Sequence, residues 1–135
     1  MSQPLKPLRI LIIEDSFVSA VLYQVKIARR EPDFEVHLAA NMADGLREHQ
    51  RFEPHIVILD LGLPDSVTDE SLVQIQAFKT TSKVLAMSAD DTLEQAALAA
   101  GADDFMAKII GESATPFINR ILKLAPEDYS VPEPL

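Results

Sequence analysis

A chain of 135 residues with 47% hydrophobic residues fits one globular unit that can bury its own core, and leaves no room for a second sizeable domain. It contains no cysteine, which excludes disulfides, zinc–thiolate sites, iron–sulfur clusters and thiol nucleophiles. Its formal charge of −9 repels phosphate backbones and anionic headgroups, no apolar run approaches the ~20 residues of a membrane span, and residues 1–6 are too polar for a secretory signal. The expectation is a cytoplasmic protein with no direct nucleic-acid or membrane partner.

In chain order, Leu8–Ile13 is a short, β-branched apolar run of the kind that forms a strand covered on both faces. Val18, Val21, Leu22, Val25 and Ala28 then recur at helical spacing after Asp15–Ser16, predicting a first helix from about Ser16 to Arg30 that Pro32 closes. Phe34–Ala40 alternates as a strand near the sheet edge, and Asn41 caps a second helix ending before Pro54. His55–Leu61 is a second buried-strand run, followed by a turn over Gly62–Thr68 and a helix through Leu72, Ile75 and Phe78, with Thr68 or Asp69 as its cap. Val84–Ser88 is a weaker strand. Thr92–Ala100 is an alanine-rich helix stopped by Gly101, Asp104–Ala107 a short strand, and Thr115 caps a last helix with Pro116 in its first turn. Fivefold β-α alternation argues for a parallel sheet with right-handed crossovers and helices on both faces. The Pro-rich acidic tail, residues 125–135, is expected to be extended or disordered.

In an open α/β sheet the functional crevice lies at the carboxyl ends of the strands. Those ends carry Glu14–Asp15, Asp60, Ser88 and Lys108. Singly, each has a plain reading: Glu14 and Asp15 as first-turn acids favoured by the helix dipole, Ser88 as a strand-end hydroxyl, Lys108 as a solvated lysine. Asp60 fits a structural role less well, because a lone carboxylate directly after Ile56–Leu59 is costly. Together, three crowded carboxylates repel one another unless a cation sits among them, and a hard oxygen-ligand ion such as Mg²⁺, with its few carboxylates and several waters, answers that need. Lys108 and Ser88 then suit a phosphoryl group, and Asp60 a nucleophile that forms an aspartyl phosphate.

The segments I-L-I-I-E-D-S at Ile10–Ser16, D-L-G-L-P-D at Asp60–Asp65, M-S-A at Met87–Ala89 and G-A-D-D-F-M-A-K at Gly101–Lys108, in this order, resemble the response-regulator receiver domain of two-component signalling over about Leu8–Leu124. The resemblance implies a (βα)5 doubly wound sheet of flavodoxin-like order 2-1-3-4-5, with residues 1–124 as the receiver and 125–135 as its tail. It also implies that Asp60 accepts a phosphoryl group from a sensor histidine kinase or histidine phosphotransfer protein, as a switch and not as an enzyme acting on other molecules. Asp15 and Asp60 would bind Mg²⁺, with Glu14 directly or through water and the Gly62 carbonyl as a further ligand. Ser88 and Lys108 would hold phosphoryl oxygens. Phe105 would be the aromatic that follows Ser88, shifting an output face of helix four, strand five and helix five toward a downstream protein that the sequence does not name.

Three positions depart from the family pattern. Ile109 stands where the family has a cis proline after the lysine, and a cis non-proline bond costs ~2.5–4 kcal/mol, so a trans bond and a reshaped loop extending into Gly111–Thr115 are expected. The separation of Ser88 from Lys108 is short, which implies a short helix four. Thr68 replaces a glycine before helix three. His37, His49 and His55 fall outside the crevice and are expected to be surface or internally satisfied residues. Competing readings are a receiver-like module that signals without phosphorylation, a flavin carrier, and a phosphatase with an aspartyl nucleophile. Glu14–Asp15 would repel a flavin phosphate, and Gly62 stands where such phosphatases carry a second aspartate.

Overall fold

The computed structural model describes residues 7–63, 68–108 and 114–126, and the side chains of all of these except 68–70. Five parallel strands form one sheet in the order β2-β1-β3-β4-β5. They are β1 (Arg9–Ile13), β2 (Glu35–Ala39), β3 (Ile56–Asp60), β4 (Lys83–Ser88) and β5 (Asp104–Ala107), alternating with α1 (Phe17–Arg30), α2 (Met42–Phe52), α3 (Thr68–Phe78), α4 (Glu94–Ala99) and α5 (Thr115–Leu124). α3 opens at Thr68, so Thr68 and Asp69 lie inside the helix and not at the cap position expected of them, and the turn ends before Thr68. The Lys108–Ile109 bond, the loop 109–113 and the tail from residue 127 lie outside the described residues.

The apolar runs form the central strands because their residues alternate between two cores. Leu11, Ile13, Val57, Leu59, Val84 and Ala86 meet Met42 of α2, Ile75 and Phe78 of α3 and Ala97 of α4. Ile10, Ile12, Ile56, Ile58, Leu85 and Met87 face the other way, against Ile27 of α1 and Phe117, Ile118 and Ile121 of α5. Burying each such side chain is worth ~1.5–3 kcal/mol, and β3, buried at every position, has no polar face to offer water. The helices also begin as their residues dictate: Ser16 and Asn41 cap α1 and α2 by accepting from the amides of Ser19 and Asp44.

Three other local expectations change. The stripe Val18, Leu22, Val25 of α1 marks a helix but faces solvent, with Val18 77% exposed. Ala20 and Ile27, with half-buried Tyr23 between them, make the face that packs. The fourth helix opens not at Thr92 but as a 3-10 turn over Asp91–Leu93, because Asp90 takes the Thr92 amide at 3.0 Å and tightens that turn; the α-helix proper is only six residues long. Thr115 lies inside α5, whose cap position is Ala114, and its hydroxyl accepts from Arg30 at 3.3 Å instead.

Candidate functional site

Strand register brings the site together. Ile13 pairs with Leu59, Asp60 with Met87 and Ser88 with Ala107, so the residues that follow or end β1, β3, β4 and β5 come level at one edge of the sheet. Ligand oxygens of Glu14, Asp15 and Asp60 lie within 4.8 Å of one another, the only such acidic group among the described residues. Glu14 and Asp60 are buried, at 3% and 5% exposure, whereas Asp15 is exposed.

Lys108 supplies the opposing charge. Its Nζ lies 2.7 Å from Glu14 Oε2 and 3.1 Å from Asp60 Oδ2, bridging the two buried acids. Burial pushes the Glu14 carboxyl above its ordinary range; the hydrogen bond from Lys108 opposes that and the Asp60 charge adds to it. Burial also works against the charge on Lys108, but Glu14 and Asp60 more than offset it, and the ammonium holds its proton above the usual lysine range.

Backbone amides complete the cradle. Gly62 N donates to Asp60 Oδ1 at 2.9 Å and Ser16 N to Glu14 Oε1 at 3.2 Å, so both buried acids are fixed by main chain as well as by Lys108. Glu14 is itself anchored by its own amide, which donates to the Ala39 carbonyl at 2.9 Å. Ser88 is buried, its carbonyl receives the Lys108 amide at 2.8 Å, and its hydroxyl accepts the Asp90 amide at 3.0 Å. The hydroxyl proton of Ser88 is thereby left for an acceptor in the crevice. Phe105 lies away from the carboxylates, 3% exposed in the core beside Ala86 and Ala97.

Three oxygen donors against one ammonium leave the cluster net negative, a donor set that fits a hard divalent cation such as Mg²⁺. Sequence reasoning did not single out the Gly62 amide, because it considered the carbonyl of that residue alone. Tyr23 also escaped it, as part of an apolar helix; it lies on the packing face of α1 between Ala20 and Ile27.

The histidines are satisfied elsewhere. His37 pairs with Glu48 at 2.6 Å and stacks on Phe52, His55 Nδ1 takes the Arg9 amide at 2.9 Å, and buried His49 contacts Ser82 Oγ at 2.9 Å. No helix among the described residues is long and apolar enough to cross a membrane.

Comparison with known proteins agrees with this geometry. The KDP operon transcriptional regulatory protein KdpE of Escherichia coli is 29% identical over 127 residues, 93% of this chain and 56% of its own. The chain thus spans about half the length of the curated relatives it matches. A response regulator signal receiver domain from Bermanella marisrubri superposes with a TM-score of 0.73 at 28% identity, covering 86% of this chain and 96% of that one. A CheY-like receiver domain protein from Methanospirillum hungatei gives 0.74 at 24% identity, covering 87% and 94%, which speaks to the fold. The family model for the response regulator receiver domain matches residues 10–115, a span that begins in β1 and ends at the start of α5 and so takes in every strand and every group of the crevice. The chain belongs to the response regulator receiver domain family of two-component systems, whose members work as phosphorylation-based switches.

Proposed function

We propose that Asp60 is the phosphoacceptor of this receiver, taking a phosphoryl group from a sensor histidine kinase or a histidine phosphotransfer protein. The observation that carries this reading is the Lys108 ammonium held between two buried carboxylates at the meeting point of four strand ends. In the transfer an Asp60 carboxylate oxygen forms a bond to phosphorus as the phosphorus–nitrogen bond of a phosphohistidine breaks, and the imidazole leaves. Asp15, Asp60 and Glu14, with the Gly62 carbonyl, would hold Mg²⁺. When bound, the ion neutralises charge on the phosphoryl oxygens. Lys108 supplies a point charge to those oxygens and the Ser88 hydroxyl a donor, since the Asp90 amide already occupies the accepting side of that hydroxyl. Hydrolysis of the phosphoaspartate resets the switch.

Ser88 continues through Asp90 into the 3-10 turn and α4, so a Ser88 drawn toward a phosphoryl group pulls on α4 and on the packing of Phe105 beneath it. We propose the surface of α4, β5 and α5 as the face read by a downstream protein. Residues 1–124 form the receiver, with residues 125–135 as an appended acidic tail.

The test is intact mass after incubation with Mg²⁺ and acetyl phosphate. Wild type gains one phosphoryl group, Asp60→Asn gains none, and chelation abolishes the gain. A wild-type chain that binds metal and is folded, yet gains no mass, overturns the reading in favour of a module that signals without phosphorylation.

A further inference from the structure

A cleft of about 310 Å³ opens between α1, α5, the carboxyl ends of β4 and β5 and the start of α4, where Asp91 and Glu94 join its wall. Its walls include Met87, Phe105, Met106 and Ala107, so it reaches the last residue before Lys108. Tyr23 enters it from α1. The ring is half-buried and leans on Phe117 of α5, with centroids 5.3 Å apart and planes 42° apart. One side chain therefore touches α5 and borders the same empty volume as the strand that delivers the site's cation. The field of the site reaches its hydroxyl as well. Burial makes the phenol hold its proton more tightly than usual, Lys108 opposes this, and the Glu14 and Asp60 charges add to it.

We propose that Tyr23 is a positioning residue that carries the phosphorylation state of Asp60 to α5, so that the α1–α5 side of the molecule is a second surface that changes with the switch. This rests on Asp60 being the phosphoacceptor. The physical route is short. A phosphoryl group places new negative charge beside Lys108, and the ammonium now shared between Glu14 and Asp60 turns toward the phosphoryl oxygens. Lys108 is tied through its amide to Ser88, and its neighbour Ala107 is a wall of the cleft, so the wall shifts when the lysine does. Most interior contacts are close-packed and resist such a shift, but the cleft gives the Tyr23 ring room to follow it and to change its lean on Phe117. Phe105 borders the same cleft but packs into the core cluster that holds Ala97 of α4, whereas Tyr23 leans on Phe117 of α5.

The experiment uses the full chain. The only other tyrosine is Tyr129 and there is no tryptophan, so in a Tyr129→Phe protein the intrinsic emission belongs to Tyr23 alone. Acetyl phosphate with Mg²⁺ is added while intact mass and Tyr23 emission are followed together. Amide hydrogen exchange over Phe117–Ile121 is then compared in wild type, Tyr23→Phe and Tyr23→Ala. The expected result is an emission change that tracks the mass gain. The exchange response of α5 should survive in Tyr23→Phe, which keeps the ring, and be lost in Tyr23→Ala, while all three proteins gain the phosphoryl group. Mass gain with unchanged emission, or an α5 response that persists in Tyr23→Ala, overturns the inference and leaves the phosphoacceptor assignment standing. Absence of mass gain in wild type overturns both.

Discussion

Lys108 is the residue on which the charge balance of the crevice turns. Removing it leaves Glu14 and Asp60, 3% and 5% exposed, facing each other with no ammonium between them. Breaking a fully buried pair this way costs ~3–5 kcal/mol; Lys108 retains 22% exposure, so water returns part of the loss and a destabilisation of roughly 2–3 kcal/mol is expected for Lys108→Met. Urea unfolding in the presence of chelator measures it. Added Mg²⁺ should recover much of the deficit, because a divalent cation among the same oxygens replaces the missing charge. A variant as stable as wild type in chelator would mean that the two acids do not depend on the lysine.

At the scale of elements, α2 lies so close on β1 that only glycine fits at position 45. A Cβ there would sit 2.5 Å from Ile13 Cδ1 and 3.0 Å from its Cγ1. Gly45→Ala gains ~1 kcal/mol of helix propensity but overpacks a fully buried isoleucine at ~1–3 kcal/mol, so the clash wins and a net loss of about 1 kcal/mol is expected by thermal or urea unfolding. A stabilised variant would show that Ile13 can move aside. The same closeness explains what sequence could and could not disclose about the elements. Continuous β-branched runs announced β1 and β3, because only strands covered on both sides tolerate them, and strand-end carboxylates announced the crevice. The exposed stripe of α1 misled: helical period identifies a helix, but which side packs depends on where the sheet lies, and small Ala20 permits the closer approach. The late start of α4 followed from a side-chain turn at Asp90, and the Thr115 hydroxyl was taken by Arg30, a contact across most of the chain that no local pattern encodes. The setting of Tyr23 was illegible for the same reason, since the cleft it lines is assembled from α1, β4, α4, β5 and α5.

Across the whole molecule, the pole opposite the crevice is fastened by His49. Its Nε2 lies 2.9 Å from Ser82 Oγ, whose own proton goes to the Pro54 carbonyl at 2.7 Å, so the imidazole is the donor to Ser82 and one side chain ties α2 to the loop before β3 and the start of β4. Burial holds the ring neutral below its ordinary value near 6.5, with the Phe78 carbonyl opposing. The unfolded chain therefore binds the proton first as pH falls. The stability this contributes is complete above about pH 6.5 and declines toward the lowered folded value, so the unfolding midpoint should drop between neutral and mildly acidic pH, and His49→Gln should flatten that part of the slope. An unchanged slope in the variant would assign the acid sensitivity to other groups. At the crevice pole, Glu14 and Lys108 are bonded although they stand near opposite ends of the folded unit, and Asp60 comes from its middle. A nascent chain still lacking β5 therefore has its acids but not their cation. On the ribosome, if Asp60 is the phosphoacceptor proposed above, competence to take up a phosphoryl group would arrive only once the last strand and Lys108 are made, and a half-made receiver would go unmarked.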